Sequence, residues 1–102
     1  MITQEKYYIY KHTSPSGKSY IGQTTDISKR NKGHKQEKGN KAFFSSVIKK
    51  YGWDNFSYDI LCIVTTQEEA DTAERENILL HNTLYPNGYN KTTGGKKGYQ
   101  KL

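Results

Sequence analysis

Residues 7–23 read YYIYKHTSPSGKSYIGQ and hold four of the chain's nine tyrosines. Tyr7-Tyr8-Ile9-Tyr10-Lys11 is dense in aromatic and β-branched side chains, which suit a pleated strand. Ser14-Pro15-Ser16-Gly17 follows, with proline at the second and glycine at the fourth position of a type I turn inside a longer hairpin loop. Ser19-Tyr20-Ile21-Gly22-Gln23 is the return strand. Side chains alternate across a strand, so Ile9 and Ile21 share one face while Tyr8, Tyr10, Tyr20 and Gly22 share the other. A register that sets Ile9 opposite Ile21 also sets Tyr10 opposite Tyr20. Tyrosines gathered on one face of adjacent strands either pack or react, and the hairpin permits both.

Working outward, Thr25 or Asp26 is placed to cap a helix that starts near Ile27 and carries Ile27, Arg30 and His34 on one face, with Gly33 weakening its end. A second helix starts after Asn40, with the stripe Phe43, Phe44, Val47, Ile48 and Tyr51, and Gly52 stops it. Residues 56–64 read as a third strand. Thr66-Gln67-Glu68-Glu69 fits a capping box that opens a third helix, from Gln67 to about His81. Pro86-Asn87-Gly88 is a turn. The order β-β-α-α-β-α gives an α+β fold with a small three-stranded antiparallel sheet flanked by helices. One domain is expected over residues 1–92, with a Gly/Lys-rich tail or the start of a linker over 93–102.

At 102 residues, 32% of them hydrophobic with the tyrosines included, the aliphatic core is thin and aromatic rings supply much of the buried area. No apolar run is long enough to span a bilayer, and the N-terminus lacks the apolar core of a signal peptide. The single cysteine, Cys62, rules out an intrachain disulfide and fits a reducing intracellular setting. Net charge is +6, and its signs are segregated. Residues 27–50 carry eight basic side chains against Glu37 alone, whereas residues 54–76 carry seven acids against Arg75 alone. That split points to one face for a polyanion and another turned away from it.

Two sets of polar residues stand out. In the third helix, Glu76 has Thr72 and Ala73 behind it and Leu79 and Leu80 ahead, which places it at the edge of an apolar stripe. Glu74, among Ala70, Asp71, Asn77 and Ile78, has more mixed surroundings. A carboxylate leaning inward needs a cationic partner, either a bound cation or a side chain such as Arg30. Arg30 and His34, one turn apart, are able to hold a phosphate and move a proton, or equally to sit in solvent. His12, in the hairpin loop, and His81, at a helix end, are read as surface residues, and Asn90 as an ordinary loop residue.

Taken together, the pattern resembles the GIY-YIG nuclease family, in particular its phage and intron-encoded homing type. Tyr8-Ile9-Tyr10 stands at the first signature and Tyr20-Ile21-Gly22 at the second. Arg30 matches the helix arginine, His34 follows one turn later, Glu76 matches the metal-binding glutamate and Asn90 the closing asparagine. The resemblance covers residues 7 to 95. There are departures. The glycine that opens the first signature is Tyr8 here, and a further histidine found in some homing members is absent, with Asn40 and Lys41 nearby. Homing members usually carry a separate C-terminal DNA-binding region, so sequence preference by this chain alone is expected to be slight.

The resemblance implies hydrolysis of DNA phosphodiester bonds to 5′-phosphate and 3′-hydroxyl ends with Mg²⁺ or Mn²⁺. Glu76 would anchor the cation, Arg30 would hold the phosphate, and Tyr10 would orient or deprotonate the attacking water with His34 as proton acceptor. Tyr20 would orient phosphate or water, and Asn90 would position the loop or the substrate. Lys29, Lys32, Lys35, Lys41, Lys49 and Lys50 are the expected DNA contacts. The alternatives are a catalytically silent nucleic-acid-binding module of the same fold, and a basic α+β protein in which Glu76 and Arg30 form a structural ion pair.

Overall fold

The computed structural model describes residues 5–29 and 42–94. Strands β1 (Tyr7–Thr13), β2 (Ser19–Thr24) and β3 (Ser57–Val64) form an antiparallel sheet in the order β2-β1-β3, so the first strand is central. Helix α1 (Ala42–Tyr51), a 3-10 turn (Trp53–Asn55) and helix α2 (Gln67–Leu80) complete the described elements. The expected α+β class and element order hold, with the 3-10 turn added between α1 and β3. A helical turn begins at 27–29 directly after β2, and Asp26 caps it by accepting the Lys29 N–H at 3.0 Å. Residues 30–41, with Arg30, Lys32, His34, Lys35 and Lys41 among them, lie outside the described residues. Among the described residues no helix is long and apolar enough to cross a membrane.

The hairpin register differs from the expected one by two residues. Tyr10 lies opposite Gly22, Ile9 opposite Gln23 and Ile21 opposite Lys11. The loop is the cause. The last pair is Thr13 with Ser19, and the loop between them closes through Ser14 N–H to Lys18 C=O and Gly17 N–H to Ser14 C=O, each 2.9 Å. Gly17 has φ +91°, which glycine adopts at no steric cost. Because the side-chain period is two, this shift leaves every residue on its expected face.

Each face of the sheet has its own core. Ile9 and Ile21 pack with Ala70 and Ile78 of α2. A bulge between Ile9 and Tyr10 in the β1–β3 pairing makes Leu61 the extra residue, and both Leu61 and Cys62 pack on this core. On the other face, Phe44, Val47 and Ile48 of α1 form a second cluster with Tyr89. Their spacing is one helical stripe. Gly52, at φ +86°, ends α1 by donating its N–H to the Ile48 carbonyl at 2.8 Å. His12 belongs to this face, not to a surface loop: β1 runs on to Thr13, and His12 is 1% exposed among Tyr10, Trp53 and Tyr58.

Helix α2 opens as expected, with Thr66 Oγ1 accepting the Glu69 N–H at 3.1 Å. The Glu69 carboxylate reaches back one residue further than in a standard capping box, to the Thr65 N–H at 3.2 Å. The helix ends with Asn82 at φ +56°, while the Thr83 N–H returns to the Ile78 carbonyl at 3.1 Å. That is a Schellman closure with asparagine in the left-handed position.

Candidate active site

Strand β2 carries candidate residues on both of its faces. Along Tyr20-Ile21-Gly22-Gln23, each position engages a different part of the fold. At Gly22 the partner is Tyr10, directly opposite on β1. A Cβ at residue 22 would stand 2.5 Å from the Tyr10 hydroxyl oxygen, so only glycine admits the phenol there. The Tyr10 ring is 1% exposed and lies between His12, at 5.1 Å, and Tyr58, at 6.3 Å between centroids. Its ring therefore packs, with its hydroxyl oxygen over Gly22. The Tyr20 ring is 6.5 Å from that of Tyr10 and stacks on Phe44 at 4.2 Å, half-buried. Tyr7 is half-buried against the opposite core.

At Ile21 the partner is Asn90. Its Oδ1 accepts the Ile21 N–H at 2.9 Å and the Thr83 hydroxyl at 2.8 Å, and its Nδ2 donates to the Ile21 carbonyl at 2.8 Å. The side-chain amide thus pairs with β2 as a strand backbone would. Beside it, the Tyr89 N–H donates to the Ser19 carbonyl at 2.8 Å. Asn90 is 5% exposed, so it is a loop anchor with its hydrogen-bonding capacity committed inside the protein.

At Gln23 the partners are carboxylates of α2. Gln23 Nε2 donates to Glu74 Oε1 at 2.7 Å and to Asp71 Oδ1 at 2.9 Å. Gln67 Nε2 donates to Gln23 Oε1 at 2.7 Å and to Asp71 Oδ1 at 2.8 Å. Gln67, Asp71, Glu74 and Ile78 form the inward stripe of the helix. Glu76 is turned away from it. It is exposed beside Glu68, Glu69 and Thr72, and it helps hold the Cys62 thiol above its ordinary pKa, after burial as the main cause. Cys62 is on β3, the opposite edge of the sheet from β2. The expectation that Glu76 leans inward is thereby corrected: Glu74 is the glutamate that reaches the strand carrying Tyr20. The leucines that suggested otherwise, Leu79 and Leu80, are 70% and 77% exposed.

Gln23, Gln67 and Asp71 were missed from sequence. A signal existed, since Gln23 follows Tyr-Ile-Gly on the face that meets α2, and Gln67, Asp71 and Glu74 recur at helical spacing. Gln23 and Gln67 line a cleft of about 390 Å³ together with Thr24, Thr25 and Lys29. Lys29 is exposed at its rim, and Lys49 and Lys50 are exposed in the last turn of α1. Among the described residues no group of three or more His, Cys, Asp or Glu side chains gathers as a metal cage. Mg²⁺ and Mn²⁺ do not require one, since a hard cation of this kind binds through one or two carboxylates and keeps its waters. The exposed side chain of Glu76 offers one such carboxylate.

Comparison with known proteins gives two matches. The family model for the GIY-YIG catalytic domain matches residues 6–90. Among solved structures, the catalytic domain of the homing endonuclease I-TevI is similar, with a TM-score of 0.71 at 23% identity, covering 84% of this chain and 98% of that one. No curated protein sequence matches significantly.

Proposed function

The chain belongs to the GIY-YIG catalytic-domain family, and from that premise we propose that it is a metal-dependent endonuclease that hydrolyses DNA phosphodiester bonds to 5′-phosphate and 3′-hydroxyl ends. The observation that carries the reading is the meeting of the two signature tyrosines on one face of the sheet, with Tyr10 opposite Gly22 on β2 and its ring 6.5 Å from that of Tyr20.

In this reading Glu76, which matches the family's metal-binding glutamate and has an exposed side chain, holds the cation. The bound cation supplies positive charge against the scissile phosphate and the leaving 3′-oxygen. Arg30 holds the phosphate by charge-assisted hydrogen bonds. Tyr10 receives a proton from the attacking water. A phenol has a reference pKa near ~10, so it serves as a base only where cationic neighbours favour the phenolate. Arg30 provides such a charge, and His34 accepts the proton onward. Tyr20 orients the phosphate. Asn90 acts on the reaction through the position of β2.

Nicking of supercoiled plasmid in Mg²⁺ or Mn²⁺, with EDTA as the control, tests this directly. The expected result is conversion to open circles that EDTA abolishes. A chain that binds DNA and leaves the plasmid intact in both cations is a silent binding module instead.

A further inference from the structure

We propose that Phe43, Tyr85 and Lys91 form a stacking platform for an unpaired base of a DNA strand, and that the groove beside it, between the hairpin loop and α1, holds the neighbouring phosphates. The inference deepens the nuclease reading and rests on its DNA substrate. It adds a contact outside the reaction centre and names the form of strand which that contact takes. The Phe43 and Tyr85 rings meet edge to face at 5.3 Å between centroids, and Phe43 meets Tyr89 in the same way at 6.0 Å. Tyr85 is 55% exposed. Lys91 Nζ stands 4.9 Å from the centroids of both Phe43 and Tyr85. The ring faces hold the ammonium in place and leave its charge uncancelled. One ammonium covers one face of a ring, so the exposed Tyr85 still has surface to offer a flat partner.

The platform is joined to the face of the sheet that carries Tyr10 and Tyr20. Phe43 precedes Phe44, whose ring stacks on Tyr20 at 4.2 Å. Tyr89 packs in the same cluster and donates its N–H to the carbonyl of Ser19, the residue before Tyr20. Tyr85 is held in its loop, with its N–H donated to the Asn90 carbonyl at 2.7 Å. The adjoining groove has a volume of about 310 Å³ and is lined, among the described residues, by Lys18, Lys50 and the rings of Phe43, Tyr51 and Tyr89, and by no carboxylate. Lys18 and Lys50 are exposed. This chemistry selects the occupant. A protein partner would need acids for the lysines and a separate apolar body for the rings, whereas each nucleotide of a strand carries a phosphate and a flat base together. Cationic grooves interleaved with aromatic rings bind single strands in this way, and in a closed duplex the base faces are already stacked on one another.

The test compares a labelled single-stranded oligonucleotide with a blunt duplex of the same sequence, by fluorescence anisotropy in EDTA so that neither is cut. Tyr85→Ala should weaken single-strand binding by about 5-fold or more, the scale of one lost base stack, and leave duplex affinity near wild type. Tyr85→Phe keeps the ring and should bind both forms as the wild type does. Lys91→Gln should lower the salt slope on the single strand by about 0.7, one phosphate contact. Wild-type single-strand affinity in Tyr85→Ala overturns the platform, and so does an equal loss on both forms of DNA. If circular dichroism finds that variant unfolded, an unchanged salt slope in Lys91→Gln overturns it instead. Unchanged strand affinity together with a dimer lost in sedimentation would assign the surface to a second copy of the chain. A chain that shows the Tyr85→Ala loss yet never nicks plasmid sinks the nuclease reading and keeps the platform. One that nicks plasmid without that loss sinks the platform alone, and one that binds neither form of DNA ends both.

Discussion

Glu74 and Glu76 stand two positions apart on a helix, about 200° around its axis, so they face opposite ways. Glu76→Ala is expected to abolish cleavage while leaving DNA binding intact, and Glu74→Ala to be much milder. Quenched single-turnover assays decide it, and the reverse order would move the cation to Glu74. The sequence set Glu76 at the edge of an apolar stripe because Leu79 and Leu80 look like core partners one turn ahead. Periodicity assumes that the inward face of a helix is apolar, and α2 departs from that assumption because the sheet presents it with Gln23. The tyrosines were more legible, since alternation alone set Tyr10 and Tyr20 on one face. What the sequence did not expose is that the Tyr10 ring is buried, with its hydroxyl oxygen over Gly22. Tyr10→Phe keeps the buried ring, so stability should change by only about 0.5–1.5 kcal/mol. Cleavage should slow by about 10²-fold or more, the scale of a lost acid–base group. An unchanged rate in that variant refutes Tyr10 as the base.

At the scale of elements, strands and helices followed from pattern, while the hairpin register did not. Loop length sets register, and Ser14-Pro15-Ser16-Gly17 allows more than one loop length. The loop carrying Asn90 gave no periodic signal either, yet it supplies β2 with hydrogen bonds along its outer edge. An unpaired edge invites pairing with other chains, and here a side-chain amide covers it. Asn90→Ala strips partners from the buried Ile21 N–H and C=O, at about 1–3 kcal/mol each. The melting temperature should fall by about 10 °C or more in a domain of this size. A melt within a degree or two of wild type would mean that the loop holds β2 without Asn90. The start of α2 adds a pH dependence. Glu69 is held below the ordinary glutamate pKa, chiefly by the Thr65 backbone N–H. Its contribution is therefore present above the ordinary value and lost as pH falls through the lowered one. Amide exchange in the first turn of α2 should accelerate over that acid range, and Glu69→Gln should flatten the profile.

At the scale of the molecule, charge among the described residues divides as the sequence indicated. Exposed Glu68 and Glu69 line the first turn of α2, whereas exposed Lys49 and Lys50 end α1 on the other side of the sheet and Lys29 stands at the rim of the cleft beside β2. DNA lying along the lysines avoids the glutamates, so the field of the fold orients the duplex before any contact forms. Lysine contacts to phosphate release counterions, and the logarithm of affinity then falls linearly with the logarithm of salt, by about 0.9 per phosphate neutralised on duplex DNA. Removing Lys49 and Lys50 together should lower that slope by about 1.8 if both touch phosphate. The loss should be uniform across DNA sequences, because phosphate contacts carry no base information. Charge reversal at Glu68 and Glu69 should leave the wild-type slope unchanged if that surface stays clear of the duplex. Fluorescence anisotropy titrations over a range of salt, on two unrelated duplexes, measure both quantities. A slope unmoved by the lysine pair, or moved by the glutamates, would put DNA on the opposite face of the sheet and away from Tyr20.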